Sequence, residues 1–543
     1  MKRKKILAVL LCMAMLCSAL VGCGSKKEEG GNTEGTAASA EEKKETKGEE
    51  TKAAEGGKDI EFTMSVGNSN TTSGFSFDPA VDYLSQKSVT TGIAETLFVL
   101  NDDTKAVEPH LATGYEQTDD LTWVITIRDG VTFSNGKALD AAACKSALEY
   151  IFANNTRLGT MADIASIEAD GQILTLKTNG IVAIMPRILT EVNAIIFDTE
   201  ASDDYSGGVI GTGPYILESV DGDGNCELVR NDNYWQGTPV AAKIHTKANL
   251  DAAAQTRALQ SGELDWAGIQ TSDLPLFENN PDYEVLTYNP GRVYYLYLNP
   301  GYTFTEDPAV REALTCAFDR DAILQGVYGG RGTVTTSIFP DFSEFYDSSL
   351  GQVDYNLEQA KKILADAGYE DNDNDGFIEK DGEKVHLNIT CYSGNSFPVL
   401  SEVLQSMLKE IGIESDIVVS DAIVDDLNKG EYNIATYAYN TLTLGDCYNY
   451  LNPVFHTDGT SNFTGFSDPE VDAMLDEMKV TSDTAKRAEL AKKIQEKVYE
   501  ADQHLFLLHI QRYNVVRKGI TGITPMFGSD NANNFILWKF DKQ

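Results

Sequence analysis

The sequence predicts a mixed α/β protein whose folded part spans residues 59–543, a length that indicates two or three domains rather than a single core. Two patterns predict this class. Residues 60–176 alternate short strands, bounded by tight-turn residues, with single helices. From residue 252 onwards, amphipathic helices of ordinary length are interspersed with apolar strands. The run 505–510 is almost continuously apolar, which is typical of a strand buried on both faces.

The early elements share short length and turn residues at their ends. We expect strands at 61–66, 121–127, 131–133, 164–169 and 173–176 and helices at 88–99 and 141–153. Asp129-Gly130 and Asp170-Gly171 would form the turns of two hairpins, because both dipeptides tolerate positive φ. Asp140 would cap the helix over 141–153.

The later elements are longer and more strongly periodic. We expect strands at 226–230, 264–266, 293–299 and 505–510 and helices at 252–259, 309–318, 357–367, 399–411, 470–478 and 484–499. The segment Gly211-Thr212-Gly213-Pro214 has no GxGxxG pattern and no following Gly-Lys-Ser/Thr. A proline after the second glycine also removes an N–H donor, so we interpret it as a tight turn beside a hinge rather than a phosphate loop.

The N-terminus has the organisation of an export signal. Basic residues at 2–5 precede the apolar run 6–15, which is shorter than the roughly 20 residues of a membrane span. The following Leu20-Val21-Gly22-Cys23 resembles a bacterial lipobox. We therefore expect a lipoprotein signal peptide at 1–22 and a lipid on Cys23, with an ordinary secreted protein as the alternative.

Residues 24–58 contain no aromatic residue and no Leu, Ile or Val, while their 7 Lys and 9 Glu nearly cancel. Such a composition cannot bury enough apolar surface to fold, so we expect 23–58 to form a disordered linker behind the lipidated cysteine. A flexible linker would let the folded part stand away from the lipid surface.

The whole chain carries a formal charge of −39, which disfavours nucleic acid or an anionic membrane surface as partner. The cysteines at 144, 226, 316, 391 and 447 are scattered, with no CxxC pair. They indicate neither a disulfide framework nor a structural zinc site, and we expect mostly buried thiols and no cofactor.

Eight blocks occur in order over more than half of the chain. They are Glu95-Thr96-Leu97-Phe98, Pro109-His110-Leu111-Ala112 with Leu121-Thr122-Trp123, Arg128-Asp129-Gly130-Val131-Thr132-Phe133-Ser134-Asn135-Gly136, Gly211-Thr212-Gly213-Pro214-Tyr215, Arg230-Asn231-Asp232-Asn233-Tyr234-Trp235, Ser261-Gly262-Glu263-Leu264-Asp265, Arg311-Glu312-Ala313-Leu314 with Phe318-Asp319-Arg320, and Ala360-Lys361-Lys362-Ile363-Leu364 with Ala367-Gly368-Tyr369. Together they resemble the peptide/nickel-binding extracellular solute-binding proteins of ABC importers, family 5.

The resemblance implies a periplasmic-binding-protein-like, two-lobe class II α/β fold with an extra inserted domain and a cleft between the lobes. Its domains would be lobe I (59–85, 211–290 and 516–543), the inserted domain (86–210) and lobe II (291–515). It also implies a monomer that binds an oligopeptide, dipeptide or related small solute and meets the transmembrane subunits of an ABC permease. With the lipid on Cys23, it would sit on the outer face of the membrane of a single-membrane bacterium.

In peptide-binding relatives, a Trp and a downstream Asp on the second lobe hold the peptide backbone and ammonium group. Here Tyr437 or Tyr439 replaces the Trp, Thr443 replaces the Asp, and Asp446 matches a later element of the pattern. This departure favours a small-molecule, metal-chelate or modified-peptide solute over an ordinary peptide.

Further candidates come from residue chemistry. Tyr294 and Tyr295, like Tyr297, Tyr448 and Tyr450, could line the cleft, with core packing as the alternative. Arg292 could bind a carboxylate through two hydrogen bonds, with an ordinary surface arginine as the alternative.

Two alternatives stay open. Asp371, Asp373 and Asp375 form the first half of a calcium loop, but position 12 is Gly382, so a solvated turn is the competing interpretation. A nickel-chelate receptor of the same family and, from another class, an exported hydrolase are the alternative functions. The sequence has no HExxH and no GxSxG motif.

Overall fold

The folded part of the chain is built on three sheets of four or more strands among the residues that the computed structural model describes, namely 60–66, 76–81, 86–101, 104–248, 250–351, 354–394, 396–525, 535–536 and 541–542. The expected signal peptide, lipidated Cys23 and linker lie outside the described residues. Among the described helices, none combines the length and apolar composition that crossing a membrane requires.

The first sheet is mixed and draws its strands from distant parts of the chain. Its seven strands are, in order, Tyr215–Val220, Cys226–Arg230, Lys243–Lys247, Glu61–Ser65, Trp266–Ile269, Arg512–Arg517 and Tyr283–Tyr288. Glu61–Ser65 pairs in parallel with both neighbours, while the other pairs are antiparallel. Phe62 and Met64, on one side of the central strand, are fully buried.

The second sheet contains the most deeply buried strands. Its six strands are, in order, Gly332–Val334, His504–Ile510, Arg292–Leu298, Ile434–Asn440, His386–Tyr392 and Glu414–Ser420. All seven residues of His504–Ile510 are buried, and the strand contacts helices Arg320–Tyr328 and Thr484–Glu500. The expectation of a strand covered on both faces is confirmed.

The third sheet is antiparallel, with the strand order Ala112–Asp119, Thr122–Ile127, Ile173–Thr178 and Ile164–Asp170. Helix Ala141–Asn154 packs on it. Asp140 caps this helix by accepting a hydrogen bond from the Ala143 amide at 2.8 Å, as expected. The hairpin over 164–176 is also confirmed.

The remaining elements are helices and short strand pairs. The helices are Gln86–Thr90, Thr156–Ala162, Met185–Ile188, Ala252–Ser261, Pro308–Ala317, Leu357–Asp366, Phe397–Glu410, Ile423–Lys429, Tyr448–Phe455 and Pro469–Val480, with 3₁₀ turns at Thr271–Leu276 and Thr443–Gly445. The two-stranded pairs are Glu95–Thr96 with Ile195–Ile196, Phe98–Leu100 with Val107–Pro109, Glu379–Lys380 with Glu383–Lys384, Ile520–Thr521 with Asp541–Lys542, and Thr524–Pro525 with Phe535–Ile536.

Two expectations about local structure are wrong. The helix expected at 88–99 ends at Thr90, because the chain turns through Gly92 at φ 79° and then forms the strand Glu95–Thr96. Strand Thr122–Ile127 pairs with Ala112–Asp119 and Ile173–Thr178 rather than with 131–133. The Asp129-Gly130 turn therefore leads out of the sheet.

Four of the sequence blocks meet at one buried carboxylate. Glu95, 3% exposed, accepts hydrogen bonds from Thr212 Oγ1 at 2.7 Å, the Tyr234 hydroxyl at 2.7 Å and Trp235 Nε1 at 3.0 Å. His110 Nε2 lies 2.9 Å from the same carboxylate. Segments separated by up to 140 residues are thus joined at one point.

The glycines of the 211–214 block serve close packing. A Cβ on Gly213 would lie 2.1 Å from the Gly92 carbonyl oxygen, and one on Gly211 would lie 2.2 Å from that of Ile93. Neither distance is possible between non-bonded atoms, so only glycine fits at these positions. The block therefore packs closely against residues 92–94.

The chain passes between the first and second sheets at two connections. Residues 289–291 join Tyr283–Tyr288 to Arg292–Leu298, and Gln511 joins His504–Ile510 to Arg512–Arg517. The second connection, at Gln511, lies five residues before residue 516, where the chain was expected to return from lobe II to lobe I. The residue bounds expected for the two lobes and the inserted domain stay a prediction.

Candidate functional site

A cavity of about 1400 Å³ lies between two groups of elements. One wall comes from residues 156–188 and the other from Arg292 and residues 437–487. This volume exceeds the roughly 300–1,000 Å³ of sites for drug-sized molecules, so it is large enough for a short peptide or a metal chelate. It is the candidate site.

Two side chains fix the backbone of the first wall, because each accepts a hydrogen bond from a backbone amide nearby. Asn155 caps helix Thr156–Ala162 by accepting from the Leu158 amide at 3.0 Å. Asp163 ends the helix in the left-handed conformation, at φ 43°, and accepts from the Gly180 amide at 3.0 Å. This bond places the apolar loop 181–184 against the cavity.

The second wall begins at the end of strand Ile434–Asn440. Tyr437 and Tyr439 are two residues apart, so they share one face of the strand, and both line the cavity. Their ring centroids are 6.4 Å apart. Burial raises the pKa of Tyr437, so its phenol remains a neutral hydrogen-bonding group at physiological pH. Residues of helices Tyr448–Phe455 and Pro469–Val480 complete this wall.

Four of the seven candidate solute-binding residues come together at the cavity: Arg292, Tyr437, Tyr439 and Thr443. Arg292 faces Asn440 across the strand pair and donates from Nη2 to the Ala438 carbonyl at 3.2 Å. Tyr448 also lines the cavity. That these residues bind a solute stays a prediction.

Tyr294 and Tyr295 do not line this cavity in the described structure. Tyr294 is 2% exposed and stacks on Phe397 with ring centroids 5.5 Å apart. Tyr295 is fully buried on the opposite face of the sheet, and its hydroxyl donates to that of Tyr297 at 2.7 Å. The alternative of core packing therefore describes both positions, because each face of this strand is covered by its own apolar cluster.

Asp446 lies behind the cavity wall rather than in it. It is 2% exposed and forms a bidentate ion pair with Arg487, whose Nε lies 2.9 Å from Oδ2 and whose Nη2 bonds Oδ1. Burial opposes the charge of Arg487, but the Asp446 carboxylate raises its pKa above the ordinary value. Arg487 also donates to the carbonyls of Met478 and Thr481, so the pair fixes three segments of the second wall.

The two walls are bridged by Arg187. Its Nη1 lies 3.0 Å from the carbonyl oxygen of Lys105 and 3.1 Å from those of Leu444 and Gly445. Leu444, at φ 58°, is fully buried in an apolar cluster whose other members lie mainly between residues 62 and 266. The 443–445 turn therefore packs on the first wall's side of the molecule.

The loop over residues 371–379 brings four carboxylates together, one more than the three aspartates that the sequence indicated. Ligand oxygens of Asp371, Asp373, Asp375 and Glu379 lie within 4.8 Å of one another, and Glu379 is 8% exposed. Glu379 is therefore the fourth candidate metal ligand, although it does not stand at position 12 of the calcium-loop pattern, where the chain has Gly382. Lys384 pairs with Asp375 and lowers its pKa. Calcium binding here stays a prediction.

Several cavity residues were not anticipated. They are Arg157, Asp163, the loop 181–184, Asn440, Asn449, Asn452, Asp476 and Lys479. Most are polar residues on helix surfaces, where solvent exposure is the default interpretation. The loop 181–184 had one detectable signal, an apolar run with neither helical nor strand periodicity.

Two α/β sheets linked by paired connections, with a large cavity beside the second sheet, are the arrangement expected of a two-lobe solute-binding protein. The family described as bacterial extracellular solute-binding proteins, family 5, matches residues 106–462, and the chain belongs to this family.

The chain is 30% identical to the nickel-binding protein NikA of Staphylococcus aureus over 74% of this chain and 80% of that protein. It is 26% identical to the oligopeptide-binding protein AppA of Bacillus subtilis over 78% and 81%, respectively. A solved nickel ABC transporter structure from Bacillus halodurans superposes with a TM-score of 0.75 at 29% identity, covering 88% of this chain and all of that one. The expected family and two-lobe fold are confirmed.

Proposed function

We propose that the protein is the lipid-anchored solute-binding component of an ABC importer, which captures an oligopeptide or related small solute and delivers it to the permease. The observation that carries this proposal is the 1400 Å³ cavity in a chain of the family 5 solute-binding proteins. Tyrosine rings, amides and hydroxyls in its lining offer both apolar contact and hydrogen bonds. Binding would proceed by cleft closure, without chemistry.

A nickel chelate is the second candidate solute. It is favoured by the similarity to a nickel-binding protein at 30% identity and by a polar lining of amides and hydroxyls that suits an organic chelator. The chelator would then supply the metal ligands, and the cavity would recognise the complex as a small molecule.

A thermal-shift screen of the full-length protein tests both candidates. A solute raises apparent stability by RT ln(1 + [L]/Kd), so a panel of di- to pentapeptides and of nickel with L-histidine should contain at least one stabilising solute. If no solute stabilises the protein while an ester or amide in the panel is hydrolysed, the exported-hydrolase alternative replaces the receptor proposal.

The anchor is tested separately with Cys23→Ala. This variant should be released into the medium instead of fractionating with membranes, while its thermal shift with the same solutes stays unchanged, because the lipid lies outside the folded part. A Ser25→Ala variant is the matched control and should remain membrane-bound. Membrane retention of Cys23→Ala would contradict the anchor but not the receptor.

A further inference from the structure

Exposed apolar side chains concentrate at one end of the second sheet. Of the twelve large apolar side chains exposed in the described structure, five lie on its last two strands or in the first turn of the helix that follows each of them. These five are Tyr392, Val399, Val418, Val419 and Val424, each between 39% and 54% exposed. Single exposed apolar residues are ordinary, but a concentration of them at one place indicates an interaction surface.

The topology explains why these five residues meet. Strands His386–Tyr392 and Glu414–Ser420 pair in parallel, with Tyr392 opposite Ser420, so their carboxyl ends lie side by side. Helices Phe397–Glu410 and Ile423–Lys429 begin directly beyond those two ends. We call the five residues the apolar edge patch.

The backbone beside the patch has an open side. The sheet ends at strand Glu414–Ser420, whose first amide and last carbonyl bond to backbone at the two ends of strand His386–Tyr392, at 3.3 and 3.2 Å. Because successive residues of a strand direct their backbone groups to opposite sides, Ile417 and Val419 direct theirs away from the sheet. No described strand lies on that side.

This edge also lacks the features that usually prevent an added strand from pairing. Lysine, proline or a bulge commonly protects an edge strand. The sequence of the strand is Glu-Ser-Asp-Ile-Val-Val-Ser, and its pairing register is continuous over all seven residues. Three consecutive β-branched residues at an open edge suit the addition of an extended segment from a partner.

The surroundings of the patch are acidic. Residues 392–428 contain seven Asp and Glu but one basic residue, Lys409, which lies in the last turn of its helix, at the opposite end from Val399. Glu402, Asp421 and Asp425 are exposed. Charge complementarity therefore calls for a partner segment that carries basic residues beside apolar ones.

The patch lies at the same edge of the sheet as the cavity tyrosines. Strand Ile434–Asn440 is parallel to His386–Tyr392, so its carboxyl end, which carries Tyr437 and Tyr439, points the same way. A partner bound to the patch would thus sit beside the cavity. This position favours the protein that takes over the solute. A second copy of the chain is disfavoured, because two molecules of formal charge −39 repel each other.

We propose that the apolar edge patch docks the permease, with an extended outer segment of its transmembrane subunit added as a strand beside Glu414–Ser420. The inference rests on the proposed function and names the surface through which it operates. Val418 and Val419 would supply apolar contact, the outward backbone groups of Ile417 and Val419 would supply hydrogen bonds, and the surrounding carboxylates would select basic side chains.

Site-directed photo-cross-linking of the full-length protein in its native membrane tests the surface. The photoreactive residue p-benzoylphenylalanine replaces Val419, and a second variant carries it in place of Val418. Irradiation should join both variants to the transmembrane subunit of an ABC permease, identified by mass spectrometry of the adduct. The matched control replaces Ile173, a 40% exposed β-branched residue on a strand of the third sheet, and should give no such adduct.

Charge reversal tests the chemistry of the partner. Asp421→Lys combined with Asp425→Lys should lower the adduct yield of the Val419 reporter about 10-fold, because like charges would then face each other across the contact. Glu116→Lys combined with Asp119→Lys, at two exposed positions of the third sheet, should leave the yield unchanged. Equal yields from the two double variants would contradict a basic partner segment.

The outcomes separate this inference from the proposed function. An adduct with a second copy of the chain or with any other protein, no adduct from either reporter, or an equal permease adduct from the Ile173 control would overturn the docking surface. The solute receptor would still stand if the same proteins were stabilised by a di- to pentapeptide or by nickel with L-histidine. A permease adduct without any stabilising solute would support the surface and contradict the receptor's proposed solutes.

Discussion

The Glu95 carboxylate shows how one buried acidic side chain is held by groups from three other parts of the chain. A buried carboxylate is costly to desolvate, but three neutral donors and a histidine satisfy its oxygens. The same bonds satisfy the hydroxyl of Tyr234 and the indole N–H of Trp235. Removing the carboxylate therefore leaves several buried polar groups unpaired at once.

We expect Glu95→Ala to lower the free energy of unfolding by about 3–5 kcal/mol, measured by urea unfolding at pH 7, because breaking a buried charged network strands its partners. Glu116→Ala, on an exposed strand position, should change it by about 0.5 kcal/mol or less. A Glu95→Ala protein as stable as the Glu116→Ala control would show that the network contributes little.

At the residue scale, Tyr437 and Tyr439 line the cavity, whereas Tyr294 and Tyr295 take the stated alternative of core packing, and a binding role stays a prediction. Alternation along a strand tells which residues share a face, not which face meets a cavity. Strand Arg292–Leu298 carries tyrosines on both faces and is covered on both sides, so its sequence does not tell which face would line a cavity. Contacts made by residues far apart in sequence decide between the faces, and a local pattern does not contain them.

At the scale of elements, the helices were predicted best where a side chain marks the start. Asp140, Asp319 and Asp483 each accept a hydrogen bond from an amide in the first helical turn, as a capping residue does. The prediction of a helix over 88–99 was wrong because tertiary contacts, rather than local periodicity, decide the conformation of this segment. Gly92 turns the chain, and the Glu95 side chain is drawn into its buried network.

Strand His504–Ile510 holds two buried histidines. Both ring nitrogens of His504 lack hydrogen-bond partners in the described structure, and Phe455 lies 4.9 Å away between ring centroids. Burial lowers the pKa of His504 to about 3 and that of His509 to about 4. Both imidazoles are therefore neutral in the folded protein at physiological pH.

This strand should make stability depend on pH. Unfolded histidine titrates near pH 6.5 and the folded side chains only near 3 to 4, so protons bind the unfolded state first. Stability is thus retained above about pH 6.5 and lost as the pH falls towards 4. Between pH 7 and pH 5, each histidine should account for about 2 kcal/mol of this loss.

His504→Phe should lose about 2 kcal/mol less than the wild type over that interval, measured by urea unfolding at several pH values. Phe506→Leu disturbs the same ring cluster without removing a titrating group, so it should keep the wild-type pH slope. Identical slopes for His504→Phe and the wild type would show that the histidine does not titrate as expected.

At the scale of the whole molecule, local patterns supplied the mixed α/β class, and the family resemblance supplied the two-lobe arrangement. The sheet order depends on pairings such as Met64 with Thr246 and Trp266 with Val516. These partners lie about 180 and 250 residues apart, so no periodicity within a strand indicates them. Several of the sequence blocks meet in space at Glu95. Segments that are far apart in the sequence therefore take part in one packing arrangement.

The strongly acidic composition of the chain has a consequence for the speed of capture. A formal charge of −39 repels a solute of net negative charge at long range, before it reaches the contacts within the cavity. Salt screens the distant repulsion over a Debye length of about 8–10 Å at 0.1–0.15 M but weakens the enclosed contact much less. Salt should therefore accelerate association.

Stopped-flow fluorescence with an N-acetylated peptide acid that stabilises the protein should show a higher association rate in 300 mM than in 10 mM NaCl, with its N-acetylated amide, which carries no charge, as the control. Slower association in high salt would indicate that the entrance is already attractive at long range. A receptor with this charge distribution would capture its solute fastest in saline surroundings, so the ionic composition outside the cell would set its rate of supply.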